Sequence, residues 1–256
     1  MRGAMTAKFG VLGPLQITGP DGRWLRLRGD RQRSLLAMLL FHANQRVPTE
    51  RLVDALWPDV PPKSYASNLH TYVSRLRERL GPALIDHAGP GYRLRIADTD
   101  LDLLVFRAAR DRGRAALRDG DPHAAATHLR AALAQWRDRP LADLALPALD
   151  PEVARLETER LTLFEDCVEA EFAAGRHAEL VGEVQAAVAE HPLRERLVGQ
   201  LMHALQKSGR RADAPTRRRL AQRLAQRPNR RRRRGRSASS RPRSACSPAA
   251  PTPSTS

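Results

Sequence analysis

The N-terminal part of the chain passes from alternating apolar and polar positions to a helical pattern. Residues 9–18, FGVLGPLQIT, and residues 23–28, RWLRLR, alternate on either side of the turn residues 19–22, so they predict a β-hairpin. Apolar residues then recur every three or four positions, which predicts a first core helix with Asp30 as its N-cap. The stripe of this helix consists of Leu35, Leu36, Leu39, Leu40 and Ala43.

Two further helices are predicted before residue 81. One begins at the capping residue Thr49, carries an apolar stripe and ends at Pro58. The next opens at Ser64 and stops at Gly81, and its outer face is rich in hydrogen-bonding groups. Its apolar stripe consists of Leu69, Val73, Leu76 and Leu80.

A second hairpin is predicted directly after this third helix. Residues 84–86 and 92–96 can pair around the turn residues 87–91, HAGPG. A strand pair, three helices and another strand pair, in that order, are the elements of a winged helix. Trp57 and Tyr92 each close an apolar segment without an aromatic platform nearby, so we expect them to be core anchors and not base-stacking groups.

The pattern becomes helical throughout from Leu101 onward. Turns that contain glycine, at residues 120–124, 175–178 and 209–212, each separate two helical stretches. Gly175 and Gly209 lie 34 residues apart, which is the period of tetratricopeptide (TPR) repeats. Such repeats stack antiparallel helix pairs into a concave binding surface. We interpret this half as a binding, dimerising or regulatory module, with a purely scaffolding role as the alternative.

The last part of the chain, residues 214–256, has almost no apolar periodicity and is expected to be disordered. It changes abruptly to Arg, Pro and Ser without an acidic residue beyond residue 216. Reading a GC-rich gene in another frame would produce such a segment, so a frameshifted or truncated variant is one hypothesis. A nonspecific nucleic-acid arm is the other.

Charge distribution changes the meaning of the net charge of +16. Thirteen arginines lie beyond residue 216, so the first 216 residues carry only +3. Within them, residues 1–100 carry +6 and residues 101–216 carry −3. The N-terminal hundred residues are therefore the basic globular part, as nucleic-acid binding requires.

Several classes of function have no support in the sequence. The two cysteines, Cys167 and Cys246, exclude a disulfide framework and a cysteine-rich zinc site and fit a reducing cytoplasm. The histidines of the helical half are dispersed, and no phosphate-cradling, dinucleotide-binding or nucleophile-elbow motif occurs. We therefore expect no enzyme activity, no cofactor and no metal. Without a long apolar run or a signal sequence, we also expect no membrane association.

Four segments in the predicted winged helix resemble the DNA-binding domains of the OmpR/PhoB type. They are RQRSLLAMLL (31–40), RLVDALWPD (51–59), NLHTYVSRLRERLG (68–81) and GPGYRL (89–94). The leading FGVLGPLQI narrows the resemblance to SARP-type activators, which regulate antibiotic and other secondary-metabolite gene clusters. These proteins join the wing to a TPR-like bacterial transcriptional activation domain.

The resemblance spans roughly residues 8–213 and implies a mainly α fold with small β-hairpins. We expect a winged helix-turn-helix domain at residues 1–98, an α-helical TPR-like domain at residues 101–213 and the disordered tail at residues 214–256.

The resemblance also implies which residues bind DNA. In such domains the third helix lies in the major groove, where Arg75 and Thr71 are expected to read base edges. Phosphate contacts are expected from Asn68, Tyr72, Arg77 and Arg79, from Arg93 at the wing, and from Arg31 and Arg33. Ala88 stands where many relatives have arginine, so the resemblance does not extend to a wing contact there. Outside this context, RLRER at residues 75–79 would be more typical of a solvated helix face.

The leading hypothesis is a transcription activator in the cytoplasm, associated with the nucleoid, that binds direct-repeat sites in double-stranded DNA. Similarity to SARP activators implies a homodimer on DNA and contact with RNA polymerase holoenzyme. The alternative is a TPR-like protein-interaction adaptor without sequence-specific DNA binding. A third hypothesis makes the arginine-rich tail an RNA-binding arm, in which case removing residues 214–256 would abolish nucleic-acid affinity.

Overall fold

The computed structural model describes residues 8–19 and 22–209, which contain eight α-helices and five short strands. The strands are β1 Lys8–Gly10, β2 Gln16–Thr18, β3 Arg46–Pro48, β4 Ile85–His87 and β5 Gly91–Leu94. The helices are α1 Asp30–Phe41, α2 Thr49–Leu56, α3 Tyr65–Leu80, α4 Asp102–Arg118, α5 Pro122–Leu133, α6 Asp150–Ala173, α7 His177–Glu190 and α8 Glu195–Lys207. The predicted tail lies outside the described residues.

The first hairpin matches the predicted one only in part, since the pairing of residues 17–19 with residues 23–25 is limited to one bridge and two backbone hydrogen bonds. Its two regular strands both lie within residues 8–18, where β1 pairs antiparallel with β2 and places Phe9 opposite Ile17. Residues 23–28 add a single isolated bridge, from Trp24 to Thr18. The alternation in RWLRLR does separate two faces, because Trp24 is 67% exposed whereas Leu27 is buried and Leu25 packs against the core.

The central helix of the N-terminal half is α1. Every residue from 34 to 41 is buried, and α1 packs against both α2 and α3. Its start differs from the prediction, since Gly29 occupies the N-cap position with φ 90° and no side chain forms a cap hydrogen bond. Asp30 lies instead in the first helical turn, where a carboxylate favours the positive end of the helix dipole.

The wing is a three-stranded antiparallel sheet with the order β3-β5-β4. The pairing of β4 with β5 confirms the second predicted hairpin. The sequence did not reveal β3, which adds Val47 opposite Tyr92 on the other edge of β5. Gly91 allows this close pairing, because a Cβ atom there would collide with the Val47 carbonyl oxygen.

The helical half consists of packed helix pairs, and only the first of them is joined by a predicted glycine-containing turn, because residues 191–194, between α7 and α8, contain no glycine. The pairs are α4 with α5 and α7 with α8, while α6 contacts α5, α7 and α8. Gly120 and Gly175 follow α4 and α6 with φ 73° and 86°, the left-handed conformation that ends many helices. Together the two halves give a mainly helical fold with small antiparallel sheets, as expected.

A long connection between α5 and α6 joins the helical half to the first hairpin. In this connection, residues 134–149, the N–H of Arg137 donates to the Leu12 carbonyl at 2.9 Å and that of Leu141 donates to the Gly13 carbonyl at 2.7 Å. One hydrophobic core runs without interruption from Phe9 to Ala170. The winged helix and the first helices of the second half therefore share their apolar interior.

Neither a membrane-spanning helix nor a metal-ligand cluster is found in the part of the chain that the structure describes. None of its helices is both long and apolar enough to cross a membrane. Within residues 8–19 and 22–209 there is also no group of three or more His, Cys, Asp or Glu side chains placed to hold a metal ion.

Candidate DNA interface

Helix α3 presents one apolar and one polar face, as its sequence predicted. Leu69, Val73, Leu76 and Leu80 are all buried against the core. Gly81, with φ 116°, ends the helix and accepts a conformation that an L side chain resists. Because the apolar stripe fixes the rotation of α3, the opposite side, with Thr71 and Arg75, is exposed.

Arg75 is the side chain of this face with the greatest freedom to bind. It is exposed, and none of the hydrogen bonds or ion pairs among the described residues involves it. One turn earlier, the hydroxyl of Thr71 donates to the Ser67 carbonyl at 2.9 Å. That bond uses the hydroxyl proton and leaves oxygen lone pairs that can accept from a base or a water molecule.

Asn68 and Arg79 extend the same polar face toward the two ends of α3. At 100° per residue, Asn68, Thr71, Arg75 and Arg79 fall within one quarter of the helix circumference. The Asn68 amide donates to the Ser64 hydroxyl at 3.2 Å, and Nη1 of Arg79 donates to the Arg26 carbonyl at 3.2 Å. Each of these side chains retains polar atoms without a protein partner.

Tyr72 and Arg31 belong to an aromatic cluster beside this face. The half-buried ring of Tyr72 stacks on Trp57, with 6.4 Å between the ring centroids. The guanidinium of Arg31 lies over the same indole, 5.7 Å from its centroid. A cation held over an aromatic face is ordered without losing its charge, so Arg31 stays available to an anion.

Arg77 connects α3 to the wing instead of pointing away from the protein. Its Nε donates to the carbonyl oxygen of Ile85, the first residue of β4, at 2.8 Å. The side chain is half-buried. Arg77 thus fixes the position of the wing relative to α3, and only its terminal nitrogens remain for a phosphate.

Arg93 at the wing also has a partner within the protein. Its guanidinium binds both carboxylate oxygens of Asp86, at 3.3 and 2.8 Å, and Arg95 donates to the same carboxylate at 2.7 Å. Hydrogen bonds from Arg93 and then Arg95 hold the pKa of Asp86 well below its usual range. The wing therefore carries two arginines that are partly neutralised by one carboxylate.

Arg33 lies at the contact between the two halves. It forms an ion pair with Asp143 in the connection between α5 and α6, and Asp143 also accepts from the backbone N–H of Leu15 at 2.8 Å. The nine residues predicted to bind DNA are therefore not one continuous patch. Asn68, Thr71, Arg75 and Arg79 share a face, whereas Arg31, Tyr72, Arg77, Arg93 and Arg33 make other contacts.

Three polar residues near this face were not among the predicted ones. Lys63 lies just before α3, His70 lies on its exposed side, and Arg95 extends the wing. Lys63 and His70 could have been found from their positions beside the predicted outer face. Arg95 could have been found as well, because it lies two residues after Arg93 in the segment 92–96 that was predicted as a strand of the wing.

Two family models match the chain. Residues 27–94 match the family described as "Transcriptional regulatory protein, C terminal". Residues 101–238 match "Bacterial transcriptional activator domain", so this second match extends into the C-terminal segment beyond the described residues.

Relatives match both halves together. The chain is 39% identical over 213 residues to "Transcriptional regulatory protein EmbR" of Mycobacterium tuberculosis, covering 80% of this chain and 55% of EmbR. It is 34% identical over 219 residues to "Regulatory protein DnrI" of Streptomyces peucetius, covering 81% of this chain and 80% of DnrI. A solved structure of M. tuberculosis EmbR, in complex with a low-affinity phosphopeptide, superposes with a TM-score of 0.80 at 38% identity over 86% of this chain and 60% of that one. The chain thus spans about half the length of EmbR and most of DnrI.

Proposed function

The chain belongs to the SARP family of transcriptional regulators, which joins an OmpR/PhoB-type winged helix to a bacterial transcriptional activator domain, and we propose that it activates transcription by binding specific sequences in double-stranded DNA. In this proposal α3 enters the major groove and the helical half arranges protomers on direct repeats. A homodimer on DNA then contacts RNA polymerase holoenzyme in the cytoplasm.

The observation that carries the proposal is the state of Arg75. An exposed guanidinium at the centre of the outward face of α3, without a hydrogen-bond or ion-pair partner among the described residues, has its donors free for a base edge. Arginine recognises guanine through two acceptors of the major-groove edge, and one such pair contributes about 1–3 kcal/mol of discrimination. Thr71, on the adjacent turn, is the second base-reading residue of the proposal.

The remaining predicted residues are proposed to hold the DNA backbone. Asn68 and Arg79 flank Arg75 and reach the phosphates on either side of the groove, while Tyr72 and Arg31 extend this set through the Trp57 cluster. The other three, Arg33, Arg77 and Arg93, can contribute only through atoms that their intramolecular bonds leave free. We expect their share of the binding energy to be smaller.

Family membership indicates which genes the protein regulates. SARP-type regulators act on secondary-metabolite gene clusters, and the chain covers 80% of DnrI, a regulatory protein of this type. We therefore propose a biosynthetic gene cluster as the target and direct repeats as the form of its binding sites. The activator role rests on the match of residues 101–238 to the activator domain.

The test is a salt-titrated binding measurement with the full chain. Duplexes from the region upstream of its own gene and from neighbouring promoters are compared with a scrambled duplex of equal length. We expect selective binding whose affinity falls as salt rises, because phosphate-bound counterions are released. Arg75→Ala should lose about 1–3 kcal/mol of the preference, whereas Arg112→Ala, an exposed arginine on α4, should keep it. Equal binding to both duplexes would favour the adaptor.

A further inference from the structure

An open pocket of about 490 Å³ lies between α4 and α6, and no residue of α3 lines it. Its lining is mainly basic: Arg107, Arg110, Arg155, Thr158 and Glu159. Three arginines against one glutamate give the lining a net charge of +2. A pocket of this volume is large enough for a small metabolite.

The arginines of the pocket differ in whether they have partners. Arg110 forms ion pairs with Glu159 and with its neighbour Asp111, so its charge is satisfied within the protein. Neither Arg107 nor Arg155 takes part in any hydrogen bond or ion pair among the described residues. The excess charge of the pocket is therefore carried by these two guanidinium groups.

Burial makes the free charge of Arg107 costly. The side chain is half-buried, and burial lowers the pKa of its guanidinium; Glu159 opposes this shift, whereas Arg110 and Arg155 add to it. A half-buried cation without a partner destabilises the folded protein. Such a cost is typical of sites where binding needs the charge.

The positive field of the pocket reaches the end of α1. His42, which follows α1, has a buried Nε2 atom without a hydrogen-bond partner among the described residues. Burial lowers the pKa of His42 first, and the charges of Arg51, Arg107 and Arg155 lower it further, against the opposing charge of Glu152. An anion in the pocket would offset part of this field, so His42 reports on its occupancy.

We propose that this pocket binds a small phosphorylated metabolite through Arg107 and Arg155. The net charge of +2 matches a phosphate dianion, and two free guanidinium groups offer paired N–H donors that fit phosphate oxygens. Thr158 is not a donor to the ligand, because its hydroxyl already donates to the Ala154 carbonyl at 2.9 Å. Glu159 stays paired with Arg110 and does not repel the phosphate as a free charge. This site does not depend on the DNA-binding proposal.

The first test is thermal unfolding of the full chain with inorganic phosphate or pyrophosphate, against sodium chloride at the same ionic strength. We expect a saturable rise in Tm, because a ligand that binds only the folded state stabilises it. Arg107→Gln and Arg155→Gln should each weaken pyrophosphate binding by about tenfold or more, while Arg112→Gln on the same helix as Arg107 should not. The arginines beyond residue 216 attract anions equally in all variants, so the comparison removes their effect.

The variants also carry an internal check of folding. Without phosphate, Arg107→Gln should be at least as stable as the unsubstituted chain, because a half-buried unpaired cation has been removed. A variant that unfolds more easily without phosphate, or one that keeps the full rise in Tm with phosphate, would overturn the proposal. So would a rise that chloride reproduces.

A second measurement locates the ligand. The pKa of His42, followed by NMR of its ring, should rise when pyrophosphate is added to the unsubstituted chain. Adding pyrophosphate to Arg155→Gln should leave the pKa of His42 in that variant unchanged. An unchanged His42 titration at saturating pyrophosphate would place the ligand elsewhere. The last measurement is the DNA affinity of the variants in buffer without phosphate. If Arg107→Gln and Arg155→Gln weaken DNA binding as much as Arg75→Ala does, the pocket holds DNA phosphates and the metabolite proposal fails.

Discussion

The carboxylate of Asp102, at the start of α4, accepts a hydrogen bond from the backbone N–H of Val11 in the first hairpin at 2.8 Å. The same carboxylate accepts from the N–H of Leu12 and from Arg137, each at 3.0 Å. Its side chain is 12% exposed. One acid therefore satisfies donors from the N-terminal hairpin and from the connection between α5 and α6, and it holds the two halves together.

Asp102→Ala should destabilise the protein by about 2–3 kcal/mol, because two mostly buried backbone N–H groups would lose their acceptor. Urea unfolding measures the change, and we expect the two halves to unfold less cooperatively. Asp119→Ala, at the exposed end of the same helix, should change the free energy of unfolding by less than about 0.5 kcal/mol. An unchanged midpoint in Asp102→Ala would show that this contact does not couple the halves.

Glu171→Gln should destabilise the helical half by about 3 kcal/mol at pH 7, because Arg130 and Arg176 would lose a buried ionised partner. Burial opposes ionisation of Glu171, but hydrogen bonds from Arg130 and Arg176 outweigh it and lower its pKa. The stabilisation is therefore present above the ordinary pKa of 4.5 and is lost as pH falls through the lowered value.

The matching control for this prediction is Glu183→Gln. Glu183 also pairs with Arg130, but its side chain is 43% exposed, so we expect a loss below about 1 kcal/mol. Unfolding curves at pH 7 and at successively lower pH should show the gap between Glu171→Gln and the unsubstituted chain closing. A gap that stays constant at low pH would contradict the ionic account.

Cys167 should resist alkylation in the folded protein. Burial raises the pKa of its thiol to about 12, with Glu171 and Glu183 adding to the effect and Arg130 opposing it, and the side chain is fully buried. With Cys246→Ser to remove the second thiol, iodoacetamide at pH 8.5 should modify the chain only as denaturant unfolds the helical half. Rapid labelling without denaturant would mean that α6 opens far more easily than its packing indicates.

The local pattern of the sequence predicted the elements whose burial depends on their own periodicity. The apolar stripe of α3 gave its limits and its outward face, and the glycine after α4 marked the turn of the α4–α5 pair. Local pattern failed to predict strands whose pairing depends on partners in other parts of the chain. Alternation in residues 23–28 predicted a strand, but β1 and β2 pair with each other, and the three residues of β3 are too few to show a period.

The candidate site shows the same division. The exposure of Arg75 follows from the period of α3 and could be predicted. The partners of Arg33, Arg77 and Arg93 could not, because Asp143, the Ile85 carbonyl and Asp86 reach them through tertiary contacts or strand pairing. Sequence alone counts these arginines as equivalent charges, whereas the fold makes some of them structural.

Asp86→Asn tests whether the wing takes part in DNA binding. Substitution removes the carboxylate that holds Arg93 and Arg95, so both guanidinium groups become available to phosphates. We expect tighter binding to all duplexes and a salt dependence steeper by about one unit of slope.

Lowering the pH to 5 should not reproduce this effect, because these arginines hold the pKa of Asp86 well below its usual range and it stays ionised. Asp119→Asn makes the same change of charge at the residue that follows α4, far along the chain from the wing, and should leave the slope as it was. If both variants change the slope equally, net charge explains the effect and the wing does not contact phosphate. If only Asp86→Asn changes the slope, Arg93 contacts the phosphate backbone of DNA, and Asp86 partly neutralises it in the unbound protein.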